Sequence, residues 1–466
     1  MKFHIFPATD SPTPQRAILL FAGWGMDEKP FERIGLNGYR LIAVWDYRDG
    51  SFPQELDDIL SDCEEIAVIA WSFGVPAATR FILSHPQLPI SARIAVNGTT
   101  HPVDDSLGIP EAIFRGTLEG LTEKSLSKFY LRMAGSGEAF RKFAERLPLR
   151  DIEGLREELS AIEKDGAVDG GRLWDCAIVS RGDRIIPPAN QVRAWRQEAF
   201  EIIETEGPHL PDFNAILDSM LTEKGLVADK FTRAASTYDA NAQVQHGIAS
   251  KLCAMIPAGI ATADVLEIGG GTGHTTLLLA ERIGSGRITV WDLHIPSSMP
   301  SAIGDVAIES RECDAETEIR HLPDAGLDLI FSASTVQWFN SLPEFLRQCS
   351  RVLRKGGAAV ISTFGPETML EIRSRLPHPV HYPSAETIAG ITPEGCTAEI
   401  VSEERHSLLF PTPVEALRHA KLTGVNALSS RHSSRTAREV MNSYPLTPTG
   451  EAPVTYHPIY IVFRKQ

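Results

Sequence analysis

The sequence holds no unbroken apolar run of about 18 residues, so it offers no stretch able to cross a bilayer as a helix. Cysteine is scarce: Cys63, Cys176, Cys253, Cys313, Cys349 and Cys396 are scattered through 466 residues, without a Cys-x-x-Cys pair. That spacing gives neither a zinc site nor a disulfide frame, and the six read as buried thiols in a reducing compartment. No metal is expected. Positive charge is short as well, with 45 Lys and Arg against 60 Asp and Glu and a formal net charge of −15. Such a balance argues against a general nucleic-acid binder. The opening Met1-Lys-Phe-His-Ile-Phe-Pro7 lacks the apolar core and cleavage site of a secretory leader and reads as a first strand. A cytoplasmic protein without membrane or nucleic-acid partners is the expectation.

What is present is an ordinary apolar content, 43%, spread over a length that suits two or three domains. Up to about residue 100, apolar runs at 17–22, 40–45, 66–71 and 93–96 alternate with helical or loop stretches. Alternation of this kind predicts a mainly parallel sheet covered by helices, with ligands gathered at the carboxyl ends of its strands. Further strands are predicted over 175–180 and 200–205. Between Gly108 and Gly170 the strand signal gives way to helices, an insertion of the kind that forms a lid over a pocket. Residues Leu217–Gly225 read as a junction, and the boundary is placed near residue 222.

The second half is organised around Val265-Leu-Glu-Ile-Gly-Gly-Gly-Thr-Gly273, which runs into His274-Thr-Thr-Leu-Leu-Leu-Ala280. An apolar strand breaks on glycine and resumes as a helix. Gly269, Gly271 and Gly273 allow positive φ and close approach of the backbone to a ligand. Asp292 ends the next apolar strand, 287–292, as the acid of a dinucleotide-type fingerprint does. Yet Glu267 stands before the glycines, where a pyrophosphate would be repelled and a cationic amino-acid headgroup welcomed. A purely structural glycine turn is the competing reading.

Two strand ends of the first half look chemical. Ile69-Ala-Trp-Ser-Phe-Gly74 stops a strand on Ser72 and leads into a helix over 75–84. Phe21-Ala-Gly-Trp-Gly25 follows an early strand and can turn backbone amides toward the same place. Asp183 lies in the loop after strand 175–180 and His209 in the loop after strand 200–205. Ser72, Asp183 and His209 therefore stand in the order nucleophile, acid, base, each beyond a strand end. His101 is a rival base, but it follows the strand next after the serine and reads as structural.

These motifs resemble known families. Ala-Trp-Ser-Phe-Gly resembles the nucleophile elbow of α/β-hydrolases, with Ala70 in place of the first glycine; the resemblance makes Ser72, Asp183 and His209 a triad and the amides of Trp24 and Phe73 its oxyanion hole. Phe-Ala-Gly-Trp-Gly (21–25), Trp-Ser-Phe-Gly (71–74), Asn-Gly-Thr (97–99), Pro-Val-Asp-Asp-x-x-Gly-Ile-Pro (102–110), Asp-Arg-Ile-Ile-Pro-Pro-x-Asn-Gln (183–191) and Gly-Pro-His (207–209) resemble the short pimeloyl-[acyl-carrier-protein] methyl ester esterases of biotin synthesis. Glu-x-Gly-x-Gly-x-Gly resembles motif I of class I methyltransferases that use S-adenosylmethionine. Phe-x-x-Ala-Ala-x-x-Tyr-Asp-x-x-Ala-x-x-Gln (231–245) and Gln337-Trp338 resemble the malonyl-[acyl-carrier-protein] O-methyltransferases, also of biotin synthesis.

Several expectations follow from the resemblances. The fold is α/β throughout: a hydrolase with a helical lid (about 108–170) over residues 1–222, then a class I methyltransferase over 226–466. Asp292, with Leu293, serves the cofactor ribose; Asp314, with Ala315, serves the adenine; Tyr238, Gln337 and Trp338 border the acceptor. The strand over 327–338 ends at the site, Val352–Gly357 and 358–363 form a helix, turn and strand, and 454–464 forms the closing edge. The implied partner is acyl carrier protein bearing malonyl or methyl-pimeloyl groups. Lys124, Lys128, Arg132, Arg141 and Lys142 offer the lid a positive surface for it, unless they are simply a solvated helix face. Two other readings stay open: a polyketide-type methyltransferase fused to a thioesterase, and a fusion in which one half is a non-catalytic carrier-binding scaffold.

Overall fold

The computed structural model describes residues 1–6, 15–376, 379–423 and 434–466. It divides into two compact units, Met1–Leu217 and Asp218–Gln466. Pro7 of the predicted first strand lies outside the described residues.

The first unit is built on a seven-stranded sheet in the order β1-β3-β2-β4-β5-β6-β7. Its strands are β1 (Lys2–Phe6), β2 (Arg16–Phe21), β3 (Tyr39–Trp45), β4 (Glu65–Trp71), β5 (Ile90–Val96), β6 (Trp174–Ser180) and β7 (Ala199–Thr205). Only β1 runs antiparallel, against β3. The central strand β4 is buried along its whole length and apolar beyond Glu65, because both faces are covered, as in parallel sheets generally. Helices α1 (Gln54–Ser61), α2 (Gly74–Ser84), α7 (Pro188–Glu198) and α8 (Phe213–Met220) accompany the sheet, while α3 (Glu111–Glu119), α4 (Glu123–Ala134), α5 (Gly137–Ala144) and α6 (Ile152–Asp165) occupy the predicted helical insertion. The helices of this insertion are sharply started: the Thr122, Ser136 and Asp151 side chains each accept from a first-turn amide. Because β2, β4, β6 and β7 are parallel, their carboxyl ends deliver the loops at 22–25, 72–74, 181–187 and 206–212 to one edge.

Helices α9 (Lys224–Asn241) and α10 (Gln243–Ala254) open the second unit and are separated at Ala242. The predicted junction at Leu217–Gly225 is itself largely helical, being the end of α8 and the start of α9. An eight-stranded sheet follows, in the order β10-β11-β9-β8-β12-β13-β17-β14. Its strands are β8 (Asp264–Ile268), β9 (Ser285–Asp292), β10 (Ala302–Ile303), β11 (Asp305–Glu312), β12 (Leu327–Ser332), β13 (Leu353–Phe364), β14 (Cys396–Glu403) and β17 (Pro458–Lys465). β15 (His406–Phe410) pairs with β16 (Ala452–Tyr456) in a separate ribbon. Helices α11 (His274–Ile283), α12 (Ala315–Glu318) and α13 (Leu342–Val352) connect the parallel strands. The parallel run β11-β9-β8-β12-β13, extended by an antiparallel β17 and then β14, is the class I methyltransferase arrangement.

The expected closing edge at 454–464 is not an edge. His457 splits it between two sheets, and β17 sits inside, hydrogen-bonded to β13 and to β14. Its residues from Pro458 to Phe463 are buried on both faces, so an apolar pattern at the end of the sequence marked an inner strand. The strand predicted over 327–338 stops at Ser332, because Ser334 turns with φ +52° and Val336–Trp338 form a 3₁₀ turn. None of the six cysteines is paired; Cys63, Cys176, Cys253 and Cys349 are buried, Cys313 and Cys396 half-buried.

Candidate active sites

In the first unit the residues foreseen as a relay meet. His209 Nε2 lies 3.0 Å from Ser72 Oγ, and His209 Nδ1 lies 2.8 Å from Asp183 Oδ2. Ser72 adopts φ +57°, a left-handed conformation that places it between β4 and α2 in a strained turn. The crowding around that turn explains its glycines. A Cβ on Gly74 would stand 2.2 Å from the Phe21 carbonyl oxygen, and one on Gly98 would stand 2.4 Å from that of Ser72. Ala70 sits in register with Phe21 and is tolerated there.

Four donors converge on Asp183. The amides of Ile185 and Ile186 donate to Oδ1 at 2.7 and 3.1 Å, and Gln191 Nε2 donates to Oδ2 at 2.8 Å beside His209. The backbone of His209 is fixed as well, its carbonyl accepting from Trp71 Nε1 at 2.9 Å and Asn97 Nδ2 at 3.0 Å. Gln191, Asn97 and Trp71 therefore position the relay. All three stand in the motifs quoted above, yet a side chain that grips a backbone carbonyl from a distant strand has no signature in the sequence. His101 is elsewhere: its Nδ1 faces Thr100 Oγ1 at 3.0 Å and Glu198 at 3.6 Å.

The loop at 22–25 is held by the lid. Tyr130 of α4 donates to the Gly25 carbonyl at 2.9 Å, and Trp24 Nε1 donates to the Leu155 carbonyl of α6 at 3.0 Å. The ring of Trp24 meets Phe129 edge-on at 5.0 Å. Ser72, Asp183 and His209 are all buried. The five basic lid residues are exposed; Lys124, Lys128 and Arg132 recur every fourth residue along α4, and Lys142 pairs with Glu138 at 3.0 Å.

In the second unit a large cleft opens at the carboxyl ends of β8, β9, β11 and β12. Gly269 and Gly271 line it with φ of +84° and +53°. Gly269 has no room for a side chain, since a Cβ would meet Thr335 Oγ1 at 1.8 Å. Asp292 Oδ2 accepts from the Gly271 amide at 2.8 Å and its Oδ1 from the His294 amide at 3.1 Å, so the acid shapes the glycine loop. Burial pushes its carboxyl above the ordinary range against the pull of those amides. Leu293, Asp314, Ala315, Tyr238 and Trp338 also line the cleft. Asp314 caps α12 through the Glu316 amide and lies 3.6 Å from Lys224 Nζ.

Glu267, Gly273 and Gln337 do not line it. Strand alternation turns the Glu267 side chain beneath the cleft while Ile268 lines it. There the Glu267 carboxyl is fully buried with neither oxygen hydrogen-bonded. Burial pushes its pKa up to about 8, the neighbouring Thr276 hydroxyl pulling the other way without closing a bond. Gly273 serves as the left-handed N-cap of α11. Gln337 turns back to donate to the Ser334 carbonyl at 2.6 Å.

Sequence reasoning missed Lys224, His246 and His274. Lys224 Nζ lies 2.8 Å from Glu316 Oε2, both side chains buried, and Glu316 also accepts from the amides of Asn340 and Ser341. His246 and His274 stack at 3.8 Å between ring centres. A single lysine and two isolated histidines carry no periodic signal; only the fold brings them to one cleft. The glycine loop, the buried acid behind it and the second acid after β11 fit S-adenosylmethionine, whose sulfonium and ammonium suit an acidic, desolvated site.

Comparison with known proteins agrees with this division. The family model described as pimeloyl-ACP methyl esterase BioG matches residues 10–215, and that of a methyltransferase domain matches residues 266–361. A malonyl-[acyl-carrier protein] O-methyltransferase of Bacteroides fragilis is 37% identical over 98% of this chain and 94% of its own length. An uncharacterised protein of Haemophilus influenzae is 37% identical over 42% of this chain and 88% of its own length. The crystal structure of a BioG protein from Haemophilus influenzae is 34% identical, covering 45% of this chain and 94% of that one, with a TM-score of 0.39. The second unit is accordingly an S-adenosylmethionine-dependent methyltransferase, and the chain belongs to the malonyl-[acyl-carrier protein] O-methyltransferase family, in a form that carries a BioG segment ahead of the methyltransferase domain.

Proposed function

We propose that the chain performs two reactions on acyl groups carried by acyl carrier protein, in the cytoplasm and in the service of biotin synthesis. Its second domain methylates the free carboxylate of a malonyl thioester. Its first, an α/β-hydrolase closed by a helical lid, removes the methyl ester once the chain has reached pimeloyl length. The boundary between the two is placed near residue 222.

The Ser72–His209–Asp183 relay is the observation that supports hydrolysis. His209 Nε2 is positioned to take the Ser72 proton as Oγ attacks the ester carbonyl, and Asp183 orients the ring and stabilises the imidazolium. The carbonyl oxygen would gain charge beside the backbone amides of Trp24 and Phe73, which make no hydrogen bond to protein among the described residues. His209 then returns the proton to the leaving methanol, and water repeats the sequence on the acyl-enzyme.

Methyl transfer asks less of the protein. S-adenosylmethionine supplies an activated methyl group, and a carboxylate with an ordinary pKa near 4 is already an anion at neutral pH. No general base is needed; positioning and exclusion of water carry the rate. Asp292 and Asp314, which line the cleft, would hold the ribose and adenine, and Tyr238 and Trp338 on the same wall would border the acceptor. The exposed basic residues of the lid would meet the acidic carrier.

Mass spectrometry of malonyl-carrier and methyl-pimeloyl-carrier incubated with the protein tests both halves. Gain of one methyl group by the first and loss of one by the second, with release of methanol, are the expected results. Release of free carrier thiol would instead make the first domain a thioesterase. No reaction on the second substrate would make it a scaffold.

A further inference from the structure

Two side chains that line the methyltransferase cleft keep hydrogen-bonding groups without a partner. Gln245, on α10, is 6% exposed, and neither its Oε1 nor its Nε2 is hydrogen-bonded. The Trp338 indole Nε1 is likewise buried and unpartnered. Buried polar groups are almost always satisfied in folded proteins, so a pair left open on the wall of a binding cleft points to a ligand that completes it. A third such atom, His246 Nε2, already faces Asp239 Oδ1 at 3.4 Å.

Sheet order separates these groups from the two acids assigned to the cofactor. Asp292 ends β9 and Asp314 follows β11, on one flank of β8, whereas Trp338 follows β12 on the other. Gln245 faces that second flank: α10 packs on both α11 and β13, and the Gln245 amide lies beside the hydroxyl of Tyr456, whose ring meets Phe364 at the end of β13. No hydrogen bond closes between them, and the Tyr456 hydroxyl is instead 2.9 Å from His419 Nε2. Among the described residues lining the cleft, Lys224 is the only lysine or arginine, and Glu316 and Asp314 hold it at 2.8 and 3.6 Å.

We propose that Gln245 Nε2 and the indole N–H of Trp338 bind the free carboxylate of the methyl acceptor, a short acyl chain that ends in an ionised acid. The assignment rests on the methylation reading above and names the residues that select its substrate. Neutral donors suit this task. A guanidinium or ammonium would neutralise the anion and stabilise it in the ground state more than in the transition state, where its charge is already dispersing. Two neutral donors orient the carboxylate and leave its charge for the sulfonium. During transfer a carboxylate lone pair forms the O–CH₃ bond, the S–CH₃ pair returns to sulfur, the two opposite charges cancel, and no proton moves. The product ester is a poorer acceptor than the anion was, so the same donors loosen their hold after reaction.

Equilibrium binding of malonyl-carrier and acetyl-carrier to the full chain, saturated with S-adenosylhomocysteine, tests the assignment. Gln245→Met keeps the length of the side chain and Trp338→Phe keeps the ring, and each removes one donor. Wild type should prefer the malonyl form, and each variant should lose about 10- to 100-fold in affinity for it, the usual worth of a hydrogen bond to a charged group. Affinity for acetyl-carrier and for S-adenosylhomocysteine should not change. Malonyl preference kept in both variants would overturn the assignment, and so would a parallel fall in S-adenosylhomocysteine affinity, which would hand these groups to the cofactor. Failure of wild type to prefer or to methylate malonyl-carrier would overturn the underlying reading instead. Should Gln245→Met not fold, Trp338→Phe alone decides.

Discussion

Asp183 and Glu267 are both buried carboxylates, but the fold treats them in opposite ways. Asp183 receives four donors that aim it at His209, and Ser72 is held in a strained turn at the other end of the same relay. Residues that act as one catalytic unit lose about 10⁴–10⁶ in kcat when the nucleophile is removed. Ser72→Ala should therefore abolish ester hydrolysis and leave methyl transfer at the wild-type rate, measured on the two carrier substrates. Glu267 receives no donor, and its pKa of about 8 lies above the 4.5 of an unburied glutamate. Between those values the unfolded chain has released a proton that the folded chain keeps. The contribution of Glu267 to stability is thus fully present below about pH 4.5 and declines as pH rises toward about 8. At about 1.4 kcal/mol per pKa unit the loss amounts to a few kcal/mol. Melting curves of the ligand-free protein from about pH 5 to about 9 should show this slope, and Glu267→Gln should flatten it.

Two elements turn the sheets into sites. Helix α9 supplies Val227, Ala228, Phe231 and Tyr238 to the cleft wall, and its first residue, Lys224, ties it to Glu316 in the segment after β11. Removing one partner of a buried ion pair costs about 3–5 kcal/mol because the other charge is left uncompensated. Lys224→Met should cost at least about 2 kcal/mol in denaturant unfolding, since the Asn340 and Ser341 amides still serve Glu316. On the lid, Lys124, Lys128 and Arg132 line one exposed side of α4. Contacts between exposed charges steer association and are screened over ~8 Å at physiological ionic strength. Reversing Lys124 and Lys128 to Glu should raise KM for a carrier-linked methyl ester and leave hydrolysis of a small free ester unchanged. Equal losses on both esters would indicate a damaged lid.

At the scale of the whole molecule, the proposed pairing of a methyltransferase with a methyl esterase in one chain would create a hazard, because an indiscriminate esterase would undo the methylation. On the proposed function the two reactions would stand at opposite ends of an elongation carried out by other enzymes, so fusion would share carrier recruitment or fix stoichiometry. The buried relay demands reach: Ser72 is 5% exposed. An ester at the end of a pimeloyl chain can extend to it, whereas one at malonyl length would have to bring the carrier itself inside. Hydrolysis of methyl-pimeloyl-carrier should exceed that of methyl-malonyl-carrier by at least about 100-fold in kcat/KM, roughly 2.7 kcal/mol of discrimination. Comparable rates on the two would remove length selection as the safeguard.

The sequence by itself determined much of this. Apolar runs alternating with helical stretches marked the parallel strands, and the order of Ser72, Asp183 and His209 marked the relay, because strand ends in a parallel sheet all reach one edge. Glycine spacing marked the cofactor loop, since glycine takes the positive φ seen at Gly269 and Gly271 with the least strain. What the sequence left open depends on contacts between residues far apart along the chain. The inner place of β17 followed from pairing with β13 and β14, which an apolar segment near the chain end does not announce. Gln191 on Asp183, Asn97 and Trp71 on the His209 carbonyl, and Lys224 on Glu316 join positions 8 to 138 residues apart. Glu267 looked like a ligand of the cofactor, yet one step of strand alternation turned it below the cleft and left Ile268 on the wall. Which face a side chain takes, and whether a distant donor reaches it, is decided by tertiary packing alone.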